Sequence, residues 1–241
     1  MTKIIAHRGA SGYAPENTME AFKLAIEMGA DAIETDVHLT KDGEVVIIHD
    51  EKVDRTTNGI GYVKDYDYAT LETLNANNHM EQYETCKIPK LADLLALIKE
   101  TGTLLNIELK TDFFPYPGIE EKVLELVKEY KVEKQIIYSS FNHYSVMKMK
   151  ELDPNVKIGL LYMEGLYQPW HYAMQLQADA LHPFYPNCAF PDYIQECHKN
   201  KVQVNAWTVN KREDMKRLIE NKVDGLITNY PDLAIEIKKN S

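Results

Sequence analysis

Short apolar runs alternate with amphipathic stretches along most of this chain. The runs, typical of buried strands, occur at residues 104–109, 135–140, 157–162, 179–182, 202–207 and 224–228. Stretches with helical spacing separate them, at residues 119–131, 143–152, 169–177, 191–200 and 212–221. Two more runs, 3–6 and 32–37, flank a helix predicted at 18–28. This alternation predicts an α/β fold with a parallel sheet and crossover helices. About eight such units predict a closed (β/α)8 barrel, the TIM barrel.

The length and composition are consistent with one large globular domain. The chain has 241 residues, of which 44% are hydrophobic and 27% are charged. This balance is ordinary for a globular protein, and we expect residues 1–241 to form a single barrel domain. The formal net charge is −10, which leaves no basic excess to neutralise phosphates. Nucleic acid is therefore not an expected partner.

The sequence also bears on location. No stretch approaches the ~20 apolar residues that a membrane helix needs, and the N-terminus turns polar too early for a secretory signal. The three cysteines are odd in number and form no CxxC pair, which favours reduced thiols. We expect a cytoplasmic protein with no membrane span, and the oligomeric state, including a homo-oligomer, is left open.

Local signals define the first helix. Asn17 is predicted as its N-cap, with Glu20 three residues later in a capping-box arrangement. Met19 and Phe22 begin an apolar face at helical spacing. Gly29 follows the last turn, where a glycine commonly ends a helix.

The alternation is interrupted once. A turn at 41–44 is predicted to lead into a strand at 45–49. From about residue 51 to 90, turn residues such as Asn58-Gly59 replace the βα rhythm. We expect this stretch to be a small insertion after the second βα region, on the barrel face where loops are long.

Polar side chains interrupt two predicted strands near their C-terminal ends. Barrel strands are covered on both sides, so they are normally apolar throughout. Because side chains alternate along a strand, Glu34 and Asp36 share one face, and Asn106, Glu108 and Lys110 share one face of the next strand. We expect both sets to point into the barrel, at the end where such barrels place their active sites.

The carboxylates of these strands predict a metal site. Acidic side chains grouped in a desolvated barrel mouth are costly unless a cation neutralises them. Glu34, Asp36 and Glu108 would offer only oxygen ligands, which suit one divalent cation, Mg²⁺ or Ca²⁺ or Mn²⁺. The alternative is a structural ion network with Arg8 and Lys110.

Two histidines are predicted to complete the site. His7 and His49 end two different predicted strands, and such a pair would act as general acid and base. Arg8 and Lys110 add positive charge, as an anionic transition state requires. A metal, two histidines and two cations together indicate phosphoester chemistry. The remaining histidines are interpreted as core or surface residues, except His182, which has no assigned role: His38, His79, His143, His171 and His198.

At these residues the sequence resembles the glycerophosphodiester phosphodiesterase family. The matching segments, in chain order, are His7-Arg8-Gly9, Pro15-Glu16-Asn17-Thr18, Glu34-Thr35-Asp36-Val37, Lys41-Asp42-Gly43, His49-Asp50, Arg55-Thr56-Thr57-Asn58-Gly59, Asn106-Ile107-Glu108-Leu109-Lys110, Ser140-Phe141-Asn142, Trp207-Thr208-Val209-Asn210 and Asp224-Gly225-Leu226-Ile227-Thr228-Asn229-Tyr230-Pro231. Any one segment is weak evidence, whereas the ordered set spans nearly the whole chain and is specific.

The resemblance implies a TIM barrel that hydrolyses glycerophosphodiesters to an alcohol and sn-glycerol 3-phosphate with one divalent cation. Carried over residue by residue, it implies metal ligands at Glu34, Asp36 and Glu108 and acid/base histidines at His7 and His49. It implies phosphate-binding side chains at the two cations named above, Arg8 and Lys110. The candidate pocket or supporting residues are Glu16, Asn17 and Trp207, although Asn17 also fits a helix cap and Trp207 a core position.

Other functions remain open at the level of the residues. A related metal-dependent lyase or phospholipase D-like activity on lysophospholipids would use the same groups. Lys110 at a strand end would also fit a Schiff-base aldolase, although that reaction leaves the carboxylates and histidines unexplained. A third alternative is a barrel that binds an anion without turnover.

Overall fold

A computed structural model describes residues 1–240 of the chain, and Ser241, the last residue of the predicted domain, lies outside the described residues. Within residues 1–240, eight parallel strands form a closed barrel, and one further short strand pairs with the C-terminal end of the second barrel strand. The strands are β1 Lys3–His7, β2 Ala32–Leu39, β3 Val45–Ile47, β4 Leu104–Leu109, β5 Ile136–Ser140, β6 Ile158–Tyr162, β7 Ala180–Pro183, β8 Gln203–Ala206 and β9 Gly225–Thr228.

The strand order confirms the predicted barrel. Seven of the parallel strands follow β1 in the order β9, β8, β7, β6, β5, β4 and β2, and pairing of β1 with β2 closes the ring. The helices between and after the strands are α1 Met19–Glu27, α2 Tyr68–Leu71, α3 Leu91–Thr101, α4 Ile119–Tyr130, α5 His143–Leu152, α6 Pro169–Gln175, α7 Tyr193–Lys199, α8 Arg212–Glu220 and α9 Pro231–Lys239. Most predicted elements are therefore present, with bounds that differ by a few residues at most ends.

The core between strands and helices fixes the direction of the polar residues. In β4, Leu105, Ile107 and Leu109 are fully buried in a cluster with Leu94 of α3 and Val123 of α4. Because side chains alternate, the same strand directs Asn106 and Glu108 into the barrel. Burial of each leucine or isoleucine against the helices contributes about 1.5–3 kcal/mol, which locks this alternation.

The first helix begins one residue later than predicted. Thr18 is its N-cap, because the Thr18 hydroxyl accepts a hydrogen bond from the Ala21 amide at 3.3 Å. Asn17 has a positive φ of 58°, whereas an N-cap residue has extended backbone, and its side chain points into the barrel mouth. The predicted capping role of Asn17 is therefore wrong. The predicted end is confirmed, since Gly29 follows the helix with φ 85°.

Strand β3 differs from the prediction in length and direction. It covers only Val45–Ile47 and runs antiparallel to β2, with Val37 opposite Ile47. The turn before it is short and closed by a bond from the Thr40 amide to the Glu44 carbonyl at 3.0 Å. Such a turn permits only an antiparallel return, because a parallel partner requires a long crossover. His49 thus lies just beyond β3, not at the end of a barrel strand as predicted.

The irregular stretch from 51 to 90 lies on the path from β2 to α3. It contains α2 and a short 3₁₀ turn at Val63–Asp65. Its buried side chains form a small apolar cluster against Val46 and Ile48, with Val53, Val63, Leu71, Ala76 and Ile88. This cluster anchors the stretch over the barrel mouth.

Two further observations concern the cysteines and the helices. Cys86, Cys188 and Cys197 are all buried and form no disulfide. Among the helices of residues 1–240, none has the length and apolar character needed to cross a membrane. The longest is α4, with 12 residues.

Candidate active site

The register of three adjacent strands brings most predicted site residues together. His7 lies opposite Glu34 in the β1–β2 pair. Asp36 lies opposite Glu108 in the β2–β4 pair. Since these strands are parallel, the groups lie in one layer at the carboxyl end of the barrel.

Glu34, Asp36 and Glu108 form a compact carboxylate triad. One oxygen from each of the three lies within 4.8 Å of the others, and all three side chains are buried. Burial, together with the charges of Asp36 and Glu108, raises the pKa of Glu34 well above its usual range. Burial also raises the pKa of Glu108. A divalent cation would relieve this repulsion, so the residues fit an oxygen-ligated metal ion.

Asp36 is oriented by Asn17. The Asn17 amide nitrogen donates to Oδ2 of Asp36 at 2.9 Å, and its oxygen accepts from the Thr35 hydroxyl at 2.9 Å. Although burial opposes it, the charges around Asp36, including those of Arg8 and Lys110, hold the pKa of this carboxyl below its usual range. Asp36 therefore stays ionised inside the triad.

Arg8 is held in a left-handed backbone conformation at the end of β1, with φ 55°. Its amide donates to a side-chain oxygen of Glu34 at 3.0 Å, and its guanidinium lies 3.5 Å from Asp36 Oδ2. Burial alone would lower the pKa of Arg8, but the carboxylates of Asp36, Glu16 and Glu34 raise it. The next residue, Gly9, must be glycine, because a Cβ atom there would lie 2.6 Å from the backbone of Ala21.

His7 is fixed by a neutral partner. Its Nδ1 lies 2.7 Å from the side-chain oxygen of Asn229, and its Nε2 lies 3.9 Å from Glu34. Burial, together with the charge of Arg8, lowers the pKa of His7 to about 3. The imidazole is therefore neutral, with Nε2 directed at the triad.

His49 is fixed by a charged partner. Its Nδ1 lies 2.6 Å from Oδ1 of Asp50, and its Nε2 lies 3.5 Å from the Lys110 ammonium. Its backbone carbonyl lies 3.1 Å from Nε2 of His38, whose other ring nitrogen contacts the Tyr116 hydroxyl at 3.0 Å. His38 is thus a buried histidine with both ring nitrogens engaged, as its interpretation as a core residue predicts.

Lys110 stands between the second histidine and the triad. Its ammonium contacts Glu108 at 3.0 Å and lies 5.9 Å from the centre of the Phe141 ring. Burial alone would lower the pKa of Lys110, but the carboxylates of Glu108 and Asp36 raise it. The side chain is therefore a cation in this site.

A chain of ion pairs connects the two cationic sides of the mouth. Glu16 contacts Arg8 at 2.8 Å and also accepts two bonds from Arg55, at 2.7 and 2.8 Å. Arg55 in turn donates to Asp50 at 2.7 and 3.0 Å. Asp50 then contacts His49. Arg55, from the irregular stretch after β3, thus connects Glu16 beside Arg8 to Asp50 beside His49.

A small pocket of about 70 Å³ opens among these groups. His7, His49 and Glu108 line it, and Trp207 forms part of its wall. The Trp207 indole nitrogen donates to the His182 carbonyl at 2.7 Å, and its ring packs edge-on against Phe141 at 5.4 Å. Trp207 also packs against a small apolar cluster formed by Ile5, Ala32 and Ile227, so it lies between the pocket and the core.

Three residues of the site were not among the predicted site residues: Asp50, Arg55 and Asn229. Each falls in a segment that carries the family resemblance, which was the only signal for them in the sequence. Their roles depend on loop geometry, because Arg55 reaches Glu16 across 39 positions of the chain and Asn229 reaches His7 across 222. Strand alternation cannot predict such contacts.

Residues 7–233 match the model of the glycerophosphoryl diester phosphodiesterase family. The chain belongs to this family. A glycerophosphodiester phosphodiesterase of Caldanaerobacter subterraneus is 49% identical over 237 residues, which cover 98% of this chain and 97% of that protein. Another from Bacillus altitudinis is 39% identical and covers 99% of each chain.

Solved structures of glycerophosphodiester phosphodiesterases and related phosphodiesterases have the same barrel. A phosphodiesterase of Oleispira antarctica, solved in complex with the product sn-glycerol-3-phosphate, superposes with a TM-score of 0.91 at 29% identity, covering 100% of this chain and 98% of that one. A glycerophosphodiester phosphodiesterase of Agrobacterium tumefaciens gives a TM-score of 0.86 at 28% identity, covering 98% and 100%.

Proposed function

We propose that this protein hydrolyses glycerophosphodiesters to an alcohol and sn-glycerol 3-phosphate. The observation that carries the proposal is that a carboxylate triad, the Nε2 atoms of two histidines and the cations Arg8 and Lys110 converge at one end of the barrel. Membership of the family and the product complex of the Oleispira relative support the same substrate class.

Glu34, Asp36 and Glu108 would hold one divalent cation, Mg²⁺ or Ca²⁺ or Mn²⁺. Such a cation, when bound, supplies Lewis-acid stabilisation of the phosphoryl charge. Three carboxylates with no sulfur or imidazole among them favour a hard cation. Burial and the charges of Asp36 and Glu108 raise the pKa of Glu34. This supports the assignment, because a bound cation would favour the ionised carboxylates.

Arg8 and Lys110 would bind the phosphate group of the substrate. Both lie next to the triad, Lys110 buried and Arg8 half-buried, and Nε of Arg8 has no hydrogen-bond partner among residues 1–240. Buried donors of this kind stabilise a phosphoryl anion strongly, because little solvent screens them. Lys110, held protonated by Glu108 and Asp36, is poorly suited to form a Schiff base, which requires a neutral amine.

His7 and His49 would move the two protons of the reaction. Each ring has its Nδ1 engaged, so each presents Nε2 to the pocket. The carboxylate of Asp50 stabilises a positive imidazole at His49, whereas His7 is backed only by a neutral amide. We therefore assign His7 as the base that removes a proton from the nucleophile and His49 as the acid that protonates the departing alkoxide.

A coupled assay for glycerol 3-phosphate tests the proposal. The chelated protein is given glycerophosphocholine, glycerophosphoethanolamine or glycerophosphoglycerol, each with Mg²⁺, Ca²⁺ or Mn²⁺ added back. Metal-dependent release of glycerol 3-phosphate is expected. Release of phosphate-bearing alcohol without glycerol 3-phosphate, or turnover only of lysophospholipids, would contradict it.

Three unpaired buried cysteines support a reducing, cytoplasmic location.

A further inference from the structure

A second cavity lies at the opposite end of the barrel from the candidate active site. It has a volume of about 420 Å³ and is lined by residues that precede or begin the parallel strands. This volume lies within the range of small-molecule sites, about 300–1,000 Å³. The amino ends of barrel strands are ordinarily closed by packed side chains and serve stability.

Four lysines line this cavity: Lys3, Lys134, Lys157 and Lys201. They come from four different parts of the chain, each at or before the amino end of a strand. Among the described ranges, residues 1–240, none of their ammonium groups forms an ion pair or hydrogen bond. In a protein with a formal net charge of −10, four unpaired cations around one cavity concentrate positive charge there.

The two acids that also line the cavity are occupied elsewhere. Asp179 accepts a hydrogen bond from the Ile158 amide at 2.9 Å. Asp224 accepts from the Val204 amide at 2.8 Å and contacts His198 at 2.8 Å. Asp179 also lies 3.9 Å from the Lys150 ammonium. Neither carboxylate pairs with the four lysines, which outnumber the two acids in the lining, so the cavity keeps an excess of positive charge.

The inner end of the cavity is polar. Asn205 and Asn106, both buried, line it from inside the barrel. Asn205 contacts Nε2 of His182 at 2.9 Å, while Nδ1 of that histidine has no hydrogen-bond partner among residues 1–240 and is fully buried. Asn106 also lines the candidate active-site pocket, so this side chain adjoins both sites.

We propose that this cavity is a binding site for a small phosphorylated anion, distinct from the catalytic pocket. Lysine ammonium groups bind phosphate as point charges, and amide groups at the inner end would accept or donate hydrogen bonds to the rest of the ligand. The lining includes side chains inside the barrel, such as Ile5 and Asn205. A recess of this kind admits a small molecule, whereas a polymer or a membrane requires an open basic surface.

Titration calorimetry with inorganic pyrophosphate tests the proposal, at constant ionic strength and in the presence of a chelator. The lining variant Lys157→Gln/Lys201→Gln is compared with a control, Lys23→Gln/Lys211→Gln, which removes the same charge from unpaired lysines outside the cavity. Because the lining variant loses two positive charges, its affinity should be about tenfold or more weaker, which corresponds to a loss of about 1.4 kcal/mol or more. The control is expected to bind within about twofold of the parent protein.

A third variant, Lys110→Gln, distinguishes pyrophosphate binding in the catalytic pocket from binding in the cavity. If pyrophosphate occupies the proposed site, this variant retains binding and the lining variant loses it. Loss only in Lys110→Gln, equal loss in the lining and control variants, or no binding at all would each overturn the proposal. Circular dichroism spectra and melting temperatures confirm that all variants fold. The test measures no turnover, so its outcome is independent of the proposed hydrolase activity.

Discussion

Nδ1 of His49 lies 2.6 Å from Oδ1 of Asp50, the next residue in the chain. The same Asp50 accepts two hydrogen bonds from Arg55, which also binds Glu16. Although burial opposes it, His49 and Arg55 lower the pKa of Asp50. Asp50 is thus an ionised group that orients His49 and connects it to the cation on the other side of the mouth.

Asp50→Asn should lower kcat by roughly tenfold to a hundredfold, because His49 loses the charge that stabilises its protonated form. KM should change little, since Asp50 does not line the pocket, and the acidic and basic limbs of the kcat–pH profile should move relative to each other. The matched control is Asp214→Asn, which removes a surface carboxylate that contacts Arg217 at 2.8 Å. An unchanged pH profile in Asp50→Asn would rule out the positioning role.

His7→Ala and His49→Ala should each lose roughly 10²–10⁴ of kcat, the range for a general acid or base. Both variants should fold, because each ring lies at the barrel mouth outside the main apolar core. The measurement is steady-state glycerol 3-phosphate release together with the melting temperature. Near-parental turnover of either variant would refute the assignment of that histidine.

Glu108→Gln should weaken the affinity for divalent cations, because a neutral amide replaces one of three carboxylates. Calorimetric titration of the chelated protein with Mn²⁺ measures this directly, and the concentration of added metal needed for half-maximal activity should rise in parallel. Glu121→Gln provides the control, since this carboxylate contacts Lys148 on the surface at 2.9 Å. Equal metal affinity of parent and Glu108→Gln would exclude Glu108 as a ligand.

Substitutions of the neighbouring residues Asn17 and Thr18 should have different effects, one on metal affinity and the other on stability. Asn17→Gly tolerates the positive φ of 58° and removes the bond to Asp36, so metal affinity should fall by about 10- to 100-fold. Thr18→Ala removes the helix cap, which costs about 1 kcal/mol and lowers the melting temperature by about 2–4 °C. Parental metal affinity in Asn17→Gly would contradict the role of Asn17, and parental stability in Thr18→Ala would contradict the role of Thr18.

The protein should become less stable as the pH decreases from near neutrality. Burial lowers the pKa of His182 to about 3 from its ordinary value of 6.5. Below pH 6.5 the unfolded chain binds a proton at this residue and the folded protein does not. The free energy of unfolding therefore decreases by up to ~1.4 kcal/mol for each pH unit, until about pH 3.

Urea unfolding between pH 4.5 and 8 measures this slope. His182→Asn should flatten it, whereas His79→Gln, which changes an exposed histidine, should leave it unchanged. His7 and His38, whose pKa values are also lowered, keep part of the dependence in both variants. Identical slopes for His182→Asn and the parent would show that the unfolding equilibrium is not linked to this ring.

Much of the fold and part of the site follow from local pattern. The βα alternation predicts the barrel because each strand must be apolar on its helix-facing side. The same alternation predicts that Glu34, Asp36 and Glu108 point inward, and parallel strand ends meet at one edge. The position of His49 was not predictable in this way, since the antiparallel return of β3 depends on a tight turn and on pairing with β2.

Side-chain periodicity within single strands is enough to predict the barrel and the inward direction of its three carboxylates. The residues that support them are known only from contacts in the folded protein. The Arg8–Glu16–Arg55–Asp50 connection, the contact of His7 with Asn229 and the lysines around the opposite cavity all join positions far apart in the chain. Such contacts depend on the closure of the barrel and the paths of its loops. The spacing of residues along the chain therefore does not predict them.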